Sequence, residues 1–154
     1  MGYVVYSGKL GDNVYDIANE YKTSIERIIV SNPNINMYRM RPGAKIIVPV
    51  RNVVDTQVSY SSEILEKDIQ NLKLIYPFLE VGEIGKSVLN KSLPYIKIGN
   101  GNKKVFYSAA FHANEWITSL VLMKFLEEYA KAFVENKNIF GHNAQALYYT
   151  TSLY

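Results

Sequence analysis

The chain contains no cysteine, so neither a disulfide framework nor a thiolate metal site is open to it. Histidine is nearly as scarce, with two among 154 residues, and any metal must therefore sit on imidazole together with Asp or Glu. No apolar run approaches the roughly 20 residues of a membrane span, which argues against a membrane partner. No basic-then-apolar leader opens the chain, so export by the usual route is unsupported and the cytoplasm is the expected compartment. Repeats and low-complexity tracts are absent. No basic stripe is interleaved with aromatics, which leaves nucleic-acid binding without support.

What is present suits a folded chain. Hydrophobic residues at 48% and charged residues at 20% are globular values, and the length allows one ordinary domain or two small ones. The net charge of +3 falls in residues 1–51, and the remainder is balanced. That excess is compatible with an anionic polymer but is modest, and a solvated surface explains it equally well.

The first fifty residues read as strand, helix, helix, strand. Tyr3 to Tyr6 is a short aromatic and β-branched run, broken by Gly8, Gly11 and Asp12, with Asp12 placed to cap a helix. Val14, Ile17, Ala18 and Tyr21 recur at helical spacing. Thr23-Ser24-Ile25-Glu26 has the form of a capping box and predicts a second helix with Ile25, Ile28 and Ile29 on its apolar face, stopped by Asn32-Pro33. Ile46 to Val50 predicts the closing strand, ended by Pro49. Residues 51–59 show neither period and predict a short, stiff connection.

A second unit over 60–154 opens with a helix near Ser62, whose Leu65, Ile69, Leu72 and Tyr76 share a face, ended by Pro77. Strands are expected at Val81–Val88, Leu93–Ile98 and Lys104–Ala110, the last two joined as a hairpin by Gly99-Asn100-Gly101-Asn102. A long helix from about Glu115 to Val134 carries a polar face of Lys124, Glu127, Glu128, Lys131 and Glu135. A loop near Asn136–His142 then leads to Ala146–Tyr154, which begins helical or irregular and ends apolar, like the start of a core strand.

The ordered pieces Tyr3-Val4-Val5-Tyr6, Gly11-Asp12, Ile17-Ala18, Asn32-Pro33-Asn34 and Pro42-Gly43 with Pro49 resemble the LysM domain over residues 2–50, with extra residues between Gly8 and Gly11 as a small departure. The resemblance implies binding to N-acetylglucosamine chains of peptidoglycan or chitin, in a groove between the first strand–helix loop and the loop after the second helix. On this sequence those loops are Gly11, Asp12, Asn13 and Val14, and Asn32, Pro33, Asn34 and Ile35, running on to Asn36. Short polar side chains and free amides suit hydroxyl and acetamide groups. The same residue types are also ordinary turn and cap formers.

His112 and Glu115 form a His-x-x-Glu pair where a strand passes into the long helix. A hydrolytic zinc site needs three protein ligands and an open position, and a carboxylate suits the positive end of a helix. A helix-cap pair without metal has the same sequence. Together with Tyr76-Pro77-Phe78-Leu79, Ile84-Gly85-Lys86-Ser87 and Ile96-Lys97-Ile98-Gly99, the stretch Phe111–Thr118 resembles the zinc carboxypeptidase A-like family. The bacterial γ-D-glutamyl-L-diamino acid endopeptidase branch, in which LysM modules precede the catalytic domain, is the nearest likeness. It implies that His112 and Glu115 are zinc ligands. The third histidine ligand, the general-base glutamate and the carboxylate-binding arginines of that family have no counterpart here, and His142 is a poor substitute, expected in an exposed loop.

The expected architecture is therefore an α+β LysM unit (βααβ), then part of a mixed-sheet α/β zinc carboxypeptidase-like domain. The expected function is a peptidoglycan-directed zinc metallopeptidase represented by its N-terminal part, acting on glycan-linked stem peptides. No catalytic residue is assigned, the zinc site is weak or incomplete, and turnover by these residues alone is not expected. The alternative is a non-catalytic LysM wall-binding protein. Association with a spore or the cell wall, and self-association through bare sheet surface, are further expectations.

Overall fold

The computed structural model describes residues 2–112 and 114–154; Ala113, inside the His-x-x-Glu motif, lies outside the described residues. Two hydrophobic clusters organise the molecule, and the larger also takes in Val53 and Val54 and is packed by Tyr3 and Val30.

In the first unit β1 (Tyr3–Ser7) pairs antiparallel with β2 (Lys45–Pro49), Tyr3 facing Pro49. Two short helices, α1 (Val14–Glu20) and α2 (Ile25–Ser31), cover this hairpin. Val14, Ile17, Ala18, Ile28, Ile46 and Val48 form the cluster between them, and burying each large aliphatic side chain contributes about 1.5–3 kcal/mol before entropy is charged. The caps differ from expectation by one residue each. Asn13, not Asp12, caps α1, its side chain accepting from Asp16 N–H, because Asp12 is held by Tyr6 Oη and Lys9 N–H, both at 2.7 Å. Ser24, not Thr23, caps α2 through Arg27 N–H, and Thr23 Oγ1 is buried without a partner. Ile29 is exposed, since the docked face of α2 instead buries Arg27, Ile28 and Ser31.

The second unit begins with α3 (Ser62–Ile75), capped by Ser61. The hairpin β3 (Glu80–Lys86) and β4 (Ser92–Lys97) follows, with a register shift at Glu83/Gly85. Next come the short β5 (Lys103–Val105) and the long α4 (Trp116–Val134). A two-residue ladder, β6 (Asn138–Ile139) with β7 (His142–Asn143), leads to α5 (Ala144–Thr150) and β8 (Thr151–Leu153).

The expected β4–β5 hairpin does not form. β8 lies between them, bridged to Ile98 on one side and parallel to β5 on the other. The Gly-Asn-Gly segment serves close backbone packing instead of a tight turn. Gly99 takes φ +100°, and a Cβ on Gly101 would lie 1.8 Å from the Thr150 carbonyl carbon. Asn100 N–H donates to Tyr148 O at 2.7 Å, and Ser152 Oγ donates to Gly101 O at 2.8 Å. Turn residues therefore announced a loop, while glycine's small size decided its neighbour. β5 also stops at Val105, well short of Ala110.

The units are packed together. Val53 and Val54, within the expected connection, are buried in the second cluster, and their N–H groups donate to Glu127 Oε1 and Oε2 at 2.5 and 3.2 Å. Glu127 is thus 1% exposed and does not belong to the polar face of α4. Ser31 Oγ on α2 donates to Ile75 O on α3 at 2.8 Å. Among the described residues no helix is long and apolar enough to cross a membrane.

Candidate functional site

β5 and the loop after it deliver the chain to the N-terminus of α4, where the metal-ligand candidates stand. Glu115 occupies the cap position of α4 but makes no side-chain cap bond. Its carboxylate instead faces His112, with Nδ1 and Oε2 3.2 Å apart and both side chains well exposed. A contact between exposed side chains of this kind adds little to stability. Two donors each about 2.1 Å from a tetrahedral zinc ion lie about 3.4 Å apart. The observed spacing and the nitrogen–oxygen donor chemistry fit such an ion.

The loop is fixed from behind by Thr118, a residue of the quoted stretch to which the sequence reading gave no role. Thr118 Oγ1 accepts from Ala110 N–H and donates to Glu115 O, each at 2.7 Å. Ala110 takes φ +50°, a left-handed conformation that costs energy in a non-glycine residue and often marks functional loops. The only signal was a threonine three residues after the glutamate. The Phe111 ring stands edge-on to the His112 imidazole, 5.4 Å between centroids. Beside this loop opens a cleft of about 600 Å³, bounded by Phe106, Ala110, Phe111, Met123 and Tyr154.

Among the described residues no cluster of three His, Asp or Glu side chains could hold a metal. His142 is exposed in β7. The pair at His112 and Glu115 therefore stands without a third protein donor among these residues.

The glycan-loop candidates divide by burial. Gly11, Asn13, Pro33 and Asn34 are exposed, and Asp12 and Ile35 are half-buried. Val14 is 1% exposed and belongs to the core. Asn32 is buried and fully engaged: it accepts from Ile47 N–H at 2.9 Å and donates to Ile47 O and Ile28 O at 2.8 and 2.7 Å. Its carboxamide pairs with β2 as a neighbouring strand would. The Asp12 carboxylate holds the first loop, and the Tyr6 hydroxyl bonded to it is pushed up to about 12. The cavity containing Asn32, Pro33, Asn34 and Ile35 is closed on its far side by α3 and does not include Gly11–Val14.

Two family models match separate stretches of the chain. A zinc carboxypeptidase family model matches residues 65–145, slightly more than half of the chain, and a LysM domain model matches residues 9–49. The chain is 43% identical over 101 residues to gamma-D-glutamyl-L-diamino acid endopeptidase 1 of Lysinibacillus sphaericus, covering 66% of this chain and 26% of that protein. It is 27% identical over 178 aligned positions to the uncharacterised protein YqgT of Bacillus subtilis strain 168, covering 99% of this chain and 47% of that protein. The chain thus spans about a quarter and about half of the lengths of these two relatives. With a LysM domain ahead of the matching stretch, the chain belongs to the zinc carboxypeptidase family.

Proposed function

We propose that this chain is the glycan-anchoring and zinc-holding part of a peptidoglycan-directed metallopeptidase that cleaves γ-D-glutamyl-diamino acid bonds. The observation carrying this reading is the convergence of His112 Nδ1 and Glu115 Oε2 at 3.2 Å within a chain 43% identical over 101 residues to an endopeptidase of that name. His112 and Glu115 hold the metal, and Thr118 positions the loop that carries both. A zinc ion held by His112 and Glu115 would supply Lewis-acid chemistry for amide hydrolysis. The adjoining cleft offers apolar walls to a stem peptide.

In the LysM unit, Gly11, Asn13, Pro33 and Asn34 meet the glycan. Val14 and Asn32 shape the loops from beneath, and Asp12 and Ile35 lie between these roles. The exposed Phe106, Phe111, Ile117 and Val121 favour self-association. Wall or spore association follows from the ligand.

With no three-donor cluster among the described residues, these 154 residues alone bind zinc weakly and do not turn over substrate. The same observation favours the second reading, a wall-binding protein in which the zinc pair is a relic. A peptide hydrolysis assay separates the readings. The chain alone is expected to leave a γ-D-glutamyl-diaminopimelate peptide intact. A chimera carrying the Lysinibacillus sequence that follows its aligned stretch is expected to cleave it, and His112→Ala is expected to abolish that cleavage. Cleavage by the chain alone would overturn the division of the site, and an inert chimera beside an active parent would favour the wall-binding reading.

A further inference from the structure

The LysM unit and the family-matched region share an open groove of about 470 Å³, a volume typical of small-molecule clefts. One wall is the turn after α2, with Asn34 and Ile35, backed by Ile47 of β2. The other is the outer face of α3, where Gln70, Lys73 and Leu74 recur at three- and four-residue spacing and so lie side by side. The walls are fastened at the base: buried Ser31 Oγ donates to Ile75 O on α3 and to Arg27 O on α2, both at 2.8 Å.

The groove's chemistry is neutral. Lys73 is its one cationic lining residue, and its ammonium donates to the carbonyls of Pro77, at 2.8 Å, and Leu79. It therefore closes the C-terminal end of α3 and offers the groove its methylene stem. No acidic side chain lines the space. What remains is an aliphatic surface from Ile35, Ile47 and Leu74, with the exposed carboxamides of Asn34 and Gln70. An apolar floor with a few polar groups suits the CH face and acetamide methyl of an N-acetylated sugar, with carboxamides for its hydroxyl and amide groups.

We propose that α3 completes a composite glycan subsite, with Gln70 and Leu74 binding the same N-acetylglucosamine chain as the turn after α2. This rests on the glycan reading of the LysM unit given above. Because Ser31 and Ile75 fasten the walls, a glycan gripped here runs in a fixed direction relative to the unit bearing His112 and Glu115.

The test is titration of tetra-N-acetylchitotetraose into the whole 154-residue chain, followed by calorimetry and amide NMR. Gln70→Ala and Leu74→Glu change exposed helix positions that folding does not require, and Lys67→Ala on the same helix serves as control. Each of the first two is expected to weaken binding about fivefold, the loss of roughly one net contact, with shift changes on α3 as well as on residues 32–35. Wild-type affinity in both variants, with shifts confined to the LysM unit, would overturn the composite site and leave the LysM reading standing. No binding by the wild-type chain would overturn both.

Discussion

Replacing Glu127 by alanine tests how the two units are joined. The side chain is 1% exposed and accepts from Val53 and Val54 N–H. Truncation leaves two buried amides without an acceptor, each costing about 1–3 kcal/mol, and opens space in a packed cluster. Lys124 keeps Glu128 as a partner at 2.8 Å, so its charge is not stranded and the loss stays near that of the two amides, about 2–6 kcal/mol. Against a typical total of about 5–15 kcal/mol this is a large fraction. Urea unfolding followed by circular dichroism is expected to show a midpoint about 1–2 M lower. Glu127→Gln keeps one acceptor oxygen but turns an NH₂ toward the other amide, and is expected to fall between wild type and alanine. A solvated residue on a polar helix face would cost within about 0.5 kcal/mol. That result for Glu127→Ala would refute the argument.

Asn32→Ala should destabilise the LysM unit by about 2–4 kcal/mol, because Ile47 loses both backbone partners; a loss of glycan binding with unchanged thermal unfolding would contradict that structural role. Gly101→Ala should prevent native docking of α5 and β8, at a cost of about 3 kcal/mol or more, visible as lost dispersion in amide spectra; a native-like spectrum would be the adverse result. The Tyr6 hydroxyl is pushed up to about 12 by its bond to Asp12, and the same bond lowers Asp12. An unfolded tyrosine ionises near 10, so this contact's contribution falls as pH rises from about 10 towards 12. On the acid side it is lost once pH falls through the depressed pKa of Asp12. Asp12→Asn should bring the Tyr6 NMR titration midpoint down towards 10, and an unmoved midpoint would show that Asp12 is not the cause. Sedimentation velocity should show concentration-dependent self-association, reduced by Phe106→Ser with Val121→Ser; a monomer at all concentrations would remove that expectation.

The hydrophobic periods made the helices legible. Val14, Ile17 and Ala18, and Ile69 and Leu72, are buried as their spacing implies. His112 and Glu115 approach each other through their three-residue spacing at the start of α4, but a loop after Val105, not the expected strand, carries them there. What sequence could not reveal were contacts settled by distant partners. Glu127 has helical polar-face spacing, yet its acceptors are taken by amides more than seventy residues away. Gly99–Asn102 has hairpin composition, yet β8 inserts there because the glycines admit another backbone. Asn32 looks like a turn residue and acts as a pairing group for β2. Gln70 and Leu74 look like the outer face of an ordinary helix until the LysM turn is placed opposite them.

The most direct measurement is a zinc titration followed through the imidazole nitrogens of ¹⁵N-labelled chain, in which the two histidines give few signals and His142→Gln assigns them. Bound at the proposed pair, zinc should move the His112 Nδ1 resonance to a metal-ligated value, leave His142 unmoved, and lose this effect in Glu115→Ala. If His112 behaves as a free imidazole under saturating zinc, or responds equally without Glu115, the two side chains do not form a metal site.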